Sequence, residues 1–197
     1  MLVLLDAGHG GIINGEYQTL GKRSPVWSDG TQLFEGECNR WIVNGIAERL
    51  SNKNIAYVLI SPEQRDVALK TRVERANKYA DQNCIYVSVH SNAGGGKGFE
   101  VFSSEGTDLS DKLAHYCAEE FKKEFPDRRL RADLRDGDYD KDKNFYVLRN
   151  TKMPAVLTEN FFMDNEDECK NILMKPEGRS KIVDFHVRAI ERFIESQ

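Results

Sequence analysis

His9 in "LLDAGHGG", His90 in "IYVSVHSN" and Glu159 in "AVLTEN" stand at or just past the ends of apolar, β-branched runs. In an open parallel sheet, binding groups gather at the carboxyl ends of the strands, so the three could meet in one crevice despite their separation in sequence. Taken singly, His9 could be part of a glycine-rich turn, and His90 a core histidine satisfied by neighbouring hydroxyls. Taken together they carry more weight, because the chain has four histidines and the other two, His115 and His186, lie inside helical patterns and read as structural. Two neutral imidazoles and a carboxylate are the usual ligands of a catalytic zinc ion, with a fourth position left for water or substrate.

The carboxylate has two candidates, Glu35 and Glu37 in "TQLFEGECN". Cys38, Trp41, Ile42, Gly45, Ile46 and Leu50 form the apolar stripe of a predicted helix over about Cys38 to Ser51. Projected backwards at about 100° per residue, that stripe leaves Glu35 roughly 30 to 60° from its centre and Glu37 roughly 100° or more away. If the helical turn reaches back that far, Glu35 points inward and Glu37 toward water. Glu37 then reads as a first-turn acid facing the helix dipole, with an i, i+3 contact to Arg40. Cys38 could be a soft ligand, but in such a stripe it reads as core packing.

The elements that would position these residues alternate. "LVLLDA" and "IAYVLIS" read as strands separated by the helix above, and a second helix over about Val67 to Tyr79 leads to "CIYVSVH". "GFEVFSS", a helix over about Leu109 to Glu124, the apolar runs "NFYVL" and "AVLTENF", and helices near Glu166 to Met174 and Glu177 to Ile194 follow. This rhythm predicts an α/β fold with a mostly parallel sheet and helices on both faces. Residues 10–35 and 126–144 read as irregular, either solvated surface loops or loops that face a substrate. No repeat or linker divides the chain, so residues 1–197 are read as a single domain.

Composition narrows the function further. A 197-residue chain that is 40% hydrophobic can bury one full core, and its net charge of −4 disfavours nucleic acid and anionic lipid as partners. No run of about 18 apolar residues occurs, which predicts no membrane insertion. "MLVLLDAGHGG" lacks a basic n-region, so it reads as a first strand rather than a signal peptide. The four cysteines are widely spaced and read as free thiols of a chain made in the cytoplasm. There is no G-x-S-x-G elbow and no H-E-x-x-H helix, and "AGGGKGFE" lacks the phosphate-binding frame.

The ordered set "LLDAGHGG", "EGECNRWIVNGIAERL", "RDVALKTRVERANKYADQNCIYVSVHSNA" and "RNTKMPAVLTENFFMDN" resembles the zinc-dependent N-acetylmuramoyl-L-alanine amidases of the amidase_3 family over nearly the whole chain. The resemblance implies a twisted six-stranded sheet between helices and one Zn2+ per chain, held by His9, Glu35 (four residues before Asn39) and His90, with Glu159 as catalytic acid/base. It implies a peptidoglycan amidase that cuts between N-acetylmuramic acid and the L-alanine of the stem peptide. Asp6 and Asn92 are candidates for supporting hydrogen bonds, and Arg149 and Asn92 for substrate binding. The chain is expected to act as a monomer, without a wall-binding domain, and an endolysin of a phage or prophage, reaching the wall at lysis or by export, would fit. Two features depart from the family pattern: a long segment between His9 and Glu35, and Gly36 in place of a lysine. The competing readings are a zinc peptidase cutting within the stem peptide and a non-catalytic wall-binding module.

Overall fold

The computed structural model describes residues 1–103, 108–133, 139 and 141–197. In chain order the elements are β1 (Leu2–Ala7), β2 (Ile12–Ile13), β3 (Glu16–Tyr17), α1 (Glu35–Asn52), β4 (Tyr57–Leu59), α2 (Leu69–Asn77), β5 (Cys84–Asn92) and β6 (Phe99–Ser103). α3 (Asp108–Glu124), β7 (Lys141–Asp142), α4 (Tyr146–Asn150), β8 (Ala155–Phe162), α5 (Glu166–Glu168), a π-helical turn (Cys169–Leu173) and α6 (Pro176–Glu195) follow.

The central sheet runs β4-β1-β5-β8-β6, with β6 antiparallel to β8 and the other neighbours parallel. It therefore has five full strands rather than the six that the resemblance implies, and the sixth place is taken by two residues of β7 pairing at the edge beside β6. Period-two alternation divides the core. Val3, Leu5, Val87 and Val89 face α1, α3 and α6, where Ile42, Leu113, Phe121, Phe185 and Phe193 pack against them. Leu4, Tyr86 and Leu157 face the opposite side, against Val73 and Ala76 of α2 and Val147 and Leu148 of α4. Helices thus cover both faces, as the alternating pattern predicts.

Several local expectations change. "NFYVL" contributes a helical turn rather than a strand: an apolar run this short fits either period, and here its buried pair Val147 and Leu148 closes the α2 face. Residues 10–35 contain a small hairpin, β2 with β3. Trp41 is partly exposed at the edge of its stripe, with the Arg179 guanidinium 4.5 Å from its ring centroid. The helix predicted near Glu166 to Met174 is the short α5 continuing into the π turn. Part of the 126–144 segment, residues 134–138 and 140, lies outside the described residues. All four cysteines are buried, and none is in a disulfide.

Candidate metal centre

α1 begins at Glu35, three residues before the start that its apolar stripe predicts, so the turn does reach back to that glutamate. No side chain caps this end. Instead residues 10–35 fold onto it: Glu35 donates its N–H to the Lys22 carbonyl at 3.0 Å, and Gly36 donates to the Tyr17 hydroxyl at 2.9 Å. The first-turn donors that a helix leaves open are thereby occupied by a distant loop, which a search for local capping residues does not find.

The helical phase aims Glu35 inward, where it is 1% exposed. Its Oε1 lies 3.2 Å from His9 Nε2 and 3.3 Å from His90 Nδ1. The imidazole rings stand edge to face with centroids 5.0 Å apart, and one ligand atom from each of the three residues falls within a 4.8 Å span. His9 Nε2 has no hydrogen-bond partner despite its proximity to Oε1, and Glu35 Oε2 has none either. Buried polar atoms are rarely left unsatisfied, so open donor atoms converging on one point fit a cation held between them. Among the described residues this is the one such cluster.

His90 lies within β5, directly across from Glu159 of β8 in the register. Its neighbour Gly8 makes room for the ring, since a Cβ there would stand 2.3 Å from His90 Cε1. His9 sits two residues past β1 with φ 67°, in the left-handed region that side chains seldom adopt. Asn39 donates to the Gly8 carbonyl at 3.2 Å and to Glu35 Oε1 at 3.3 Å, while the Ser91 N–H approaches the same oxygen at 3.3 Å. These contacts fall on the same carboxylate oxygen that the two histidines approach and fix its orientation.

Electrostatics separate the two buried glutamates. Burial favours the neutral form of Glu35, yet the two adjoining imidazoles more than offset it and hold the carboxyl well below the usual range. Glu159 has no such partners. Burial first, and then the charge of Glu35, push it well above the usual carboxylate range, and its Oε2 makes no hydrogen bond. Burial also lowers His90, which favours the neutral, ligating imidazole. One carboxylate is kept ionised and the other kept able to carry a proton, the separation expected of a ligand beside an acid/base.

His9, His90 and Glu159 open into a cavity of about 600 Å³ on the α2 and α4 side. Val67, Leu69, Phe145 and Tyr146 form its apolar walls, and Lys22 from residues 10–35 also lines it. Lys22 belongs to no motif, and its place in the long segment before Glu35 is its only signal in the sequence. Asp6 does not touch the histidines: it accepts from Arg72 and Ser61 at 2.6 Å and from Tyr86 at 2.6 Å, as a buried anchor below the cavity. Asn92 donates its side-chain amide to Glu100, and Arg149 is exposed on α4. Neither is among the residues lining the cavity. Glu37 departs from the expectation that it faces water, being half-buried with its Oε1 accepting the Ile12 N–H at 3.0 Å. His186 is buried in α6, bonded to Thr158 and to the Ile182 carbonyl, as a structural histidine.

The model of the N-acetylmuramoyl-L-alanine amidase family Amidase_3 matches residues 3–192. The chain belongs to that family. It is 32% identical over 203 residues to the endolysin of Bacillus phage SPP1, covering 98% of this chain and 66% of that protein. It is 28% identical over 172 residues to an N-acetylmuramoyl-L-alanine amidase of Bacillus licheniformis, covering 86% of this chain and 60% of that one. The chain thus spans about two thirds or less of the length of these two curated relatives. Among solved structures, that of an N-acetylmuramoyl-L-alanine amidase from Clostridium difficile 630 superposes with a TM-score of 0.79 at 26% identity, covering 100% of this chain and 97% of that one. Among the described residues of this Amidase_3 chain, no helix is long and apolar enough to cross a membrane.

Proposed function

We propose that this Amidase_3 domain is a zinc-dependent hydrolase of peptidoglycan that cleaves the amide between the lactyl group of N-acetylmuramic acid and L-alanine. The observation that carries this reading is the convergence of His9, Glu35 and His90, with open ligand atoms, beside a Glu159 held in a different protonation regime. His9, Glu35 and His90 hold the ion. When bound, zinc supplies Lewis-acid polarisation of the scissile carbonyl and acidifies a water.

The protein's own groups do the rest. Glu159 takes the proton of the attacking water and passes it to the departing L-alanine amine, so the C–N bond breaks with no net consumption of protons by the enzyme. Its raised proton affinity suits both halves of that exchange. The apolar walls from Val67 to Leu69 and Phe145 to Tyr146 exclude bulk water around the reacting atoms. The Asp6–Arg72 pair, 2% exposed or less, keeps the floor beneath them rigid. Its place of action is the cell wall, in keeping with relatives described as an endolysin and as an uncharacterized cell wall amidase.

The test is incubation of the protein with purified peptidoglycan, with and without a chelator, and identification of the products by mass. The proposal expects a new L-alanine amine on intact glycan strands, lost with chelator and restored by zinc. A freed amine on another stem residue would replace it with a stem-cutting peptidase, and no product at all would leave a wall-binding module.

A further inference from the structure

The first turn of α1 does more than supply Glu35. Arg40, one turn further on, is only 8% exposed, and its guanidinium donates to three carbonyls from three separate segments. These are Gly36 at 3.0 Å, His9 at 3.0 Å and Glu63 at 2.6 Å. Arg72 is also buried, but it has Asp6 as a counter-charge at 2.6 Å. Arg40 has none within ion-pair distance among the described residues. Glu37 and Asp66 favour its charge from further off, but a buried cation with no directly bonded carboxylate costs stability unless carbonyls replace its hydration, so its place needs an explanation beyond direct charge pairing.

The carbonyls it holds suggest one. His9 carries a left-handed φ of 67°, a conformation that a side-chain-bearing residue keeps only when its surroundings over-determine it. Arg40 grips the carbonyl of that same residue, and Arg72 Nη2 also approaches it at 3.5 Å. Gly36 completes the clasp: a Cβ there would lie 1.9 Å from the Gly10 carbonyl, so only glycine lets the chain after His9 lie against the helix. Glu37 then takes the Ile12 N–H. Residues 36, 37 and 40 thus hold the segment that carries His9 from three sides.

We infer that Arg40 is a positioning residue for the metal ligand His9, fixing its strained backbone so that the imidazole meets Glu35 and His90 before any ion arrives. This rests on the reading of His9 as a zinc ligand. Zinc affinity, measured by competition with a chelating dye on the folded apoprotein, tests it in four proteins: parent, Arg40→Met, His9→Ala and the double variant. Arg40→Met is expected to weaken zinc binding by about 10- to 100-fold, the usual effect of removing a group that orients a ligand. In the His9→Ala background it should change zinc binding by less than about twofold, because the ligand it orients is gone.

Parent-like zinc affinity in Arg40→Met, with zinc binding weakened in His9→Ala, overturns the inference and leaves the ligand set standing. An equal loss from Arg40→Met in both backgrounds also overturns it, since the residue would then act on the fold as a whole. Parent-like affinity in His9→Ala overturns the ligand reading itself. Should Arg40→Met fail to fold, Arg40→Lys keeps the charge but loses the fork that spans three carbonyls. It is expected to bind zinc about tenfold more weakly than the parent, and parent-like binding would overturn the inference.

Discussion

The two histidines of the site are positioned in opposite ways. His90 sits inside β5, its place set by the hydrogen-bonded register that also sets Glu159 across from it. His9 lies beyond its strand with a left-handed backbone, held by guanidinium groups from α1 and α2. The sheet-borne half rests on strand register, with a register shift just past His90 and the Asn160 amide on the His90 carbonyl at 2.9 Å, whereas the loop-borne half lies outside the sheet and depends on side chains 31 and 63 positions away in sequence. Of the two proposed ligands, His9 is therefore the one whose own backbone is left-handed.

Removing either imidazole should erase this difference. His9→Ala and His90→Ala each delete a proposed ligand, and both are expected to lower kcat/KM by about a thousandfold or more, corresponding to several kcal/mol of lost metal assistance. Turnover assays alongside metal content check this; a variant that keeps parental activity would remove its histidine from the site.

Acid probes the sheet-borne half. His186 packs beneath β8, donating from Nδ1 to the Ile182 carbonyl and accepting from the Thr158 hydroxyl, so its ring is neutral when folded. Burial lowers it from 6.5 to about 4. Between those values the unfolded chain binds a proton that the folded protein does not, so stability is fully present above pH 6.5 and falls as pH drops toward 4. The loss is expected to reach about 3 kcal/mol. Denaturant melts across this range should show it, and His186→Gln should flatten the slope; an unchanged slope would assign the acid sensitivity elsewhere.

Gly8→Ala touches both halves, because the new Cβ would press on the His90 ring from the loop that carries His9. Overpacking of this kind should cost about 1 to 3 kcal/mol in thermal or chemical denaturation and weaken zinc binding as well. Unaltered zinc affinity would mean that the two halves move independently. The smallest effect belongs to Glu37→Ala, which removes the acceptor of the Ile12 N–H and should cost about 1 kcal/mol of stability. Zinc should stay bound, because Arg40 rather than Glu37 holds the His9 carbonyl, and loss of zinc would contradict that assignment.

That contrast also marks what could be read from sequence. The α/β class, the inward phase of Glu35 and the placement of His90 and Glu159 follow from periods of 2 and 3.6, which are local and survive folding. The start of α1 matched the phase argument even though its donors are satisfied by Lys22 and Tyr17, residues with no local capping signature. "NFYVL" was ambiguous because five apolar-rich residues fit either period, and the partly exposed Trp41 shows that a stripe's edge is set by its tertiary neighbours. The resemblance over-counted the sheet by one full strand, since only Lys141 and Asp142 pair at that edge. Arg40 and the Glu37 contact to Ile12 could not be read at all: side chain to backbone contacts across 25 or 31 positions leave no periodic trace.

The central claim is a division of labour, with His9, Glu35 and His90 holding zinc and Glu159 moving the proton. Its most direct test is Glu159→Gln, assayed together for bound zinc and for release of L-alanine amines from purified peptidoglycan. The division predicts one zinc per chain, as in the parent, with turnover reduced by about 100-fold or more. Normal cleavage by this variant, or loss of its zinc, would contradict it.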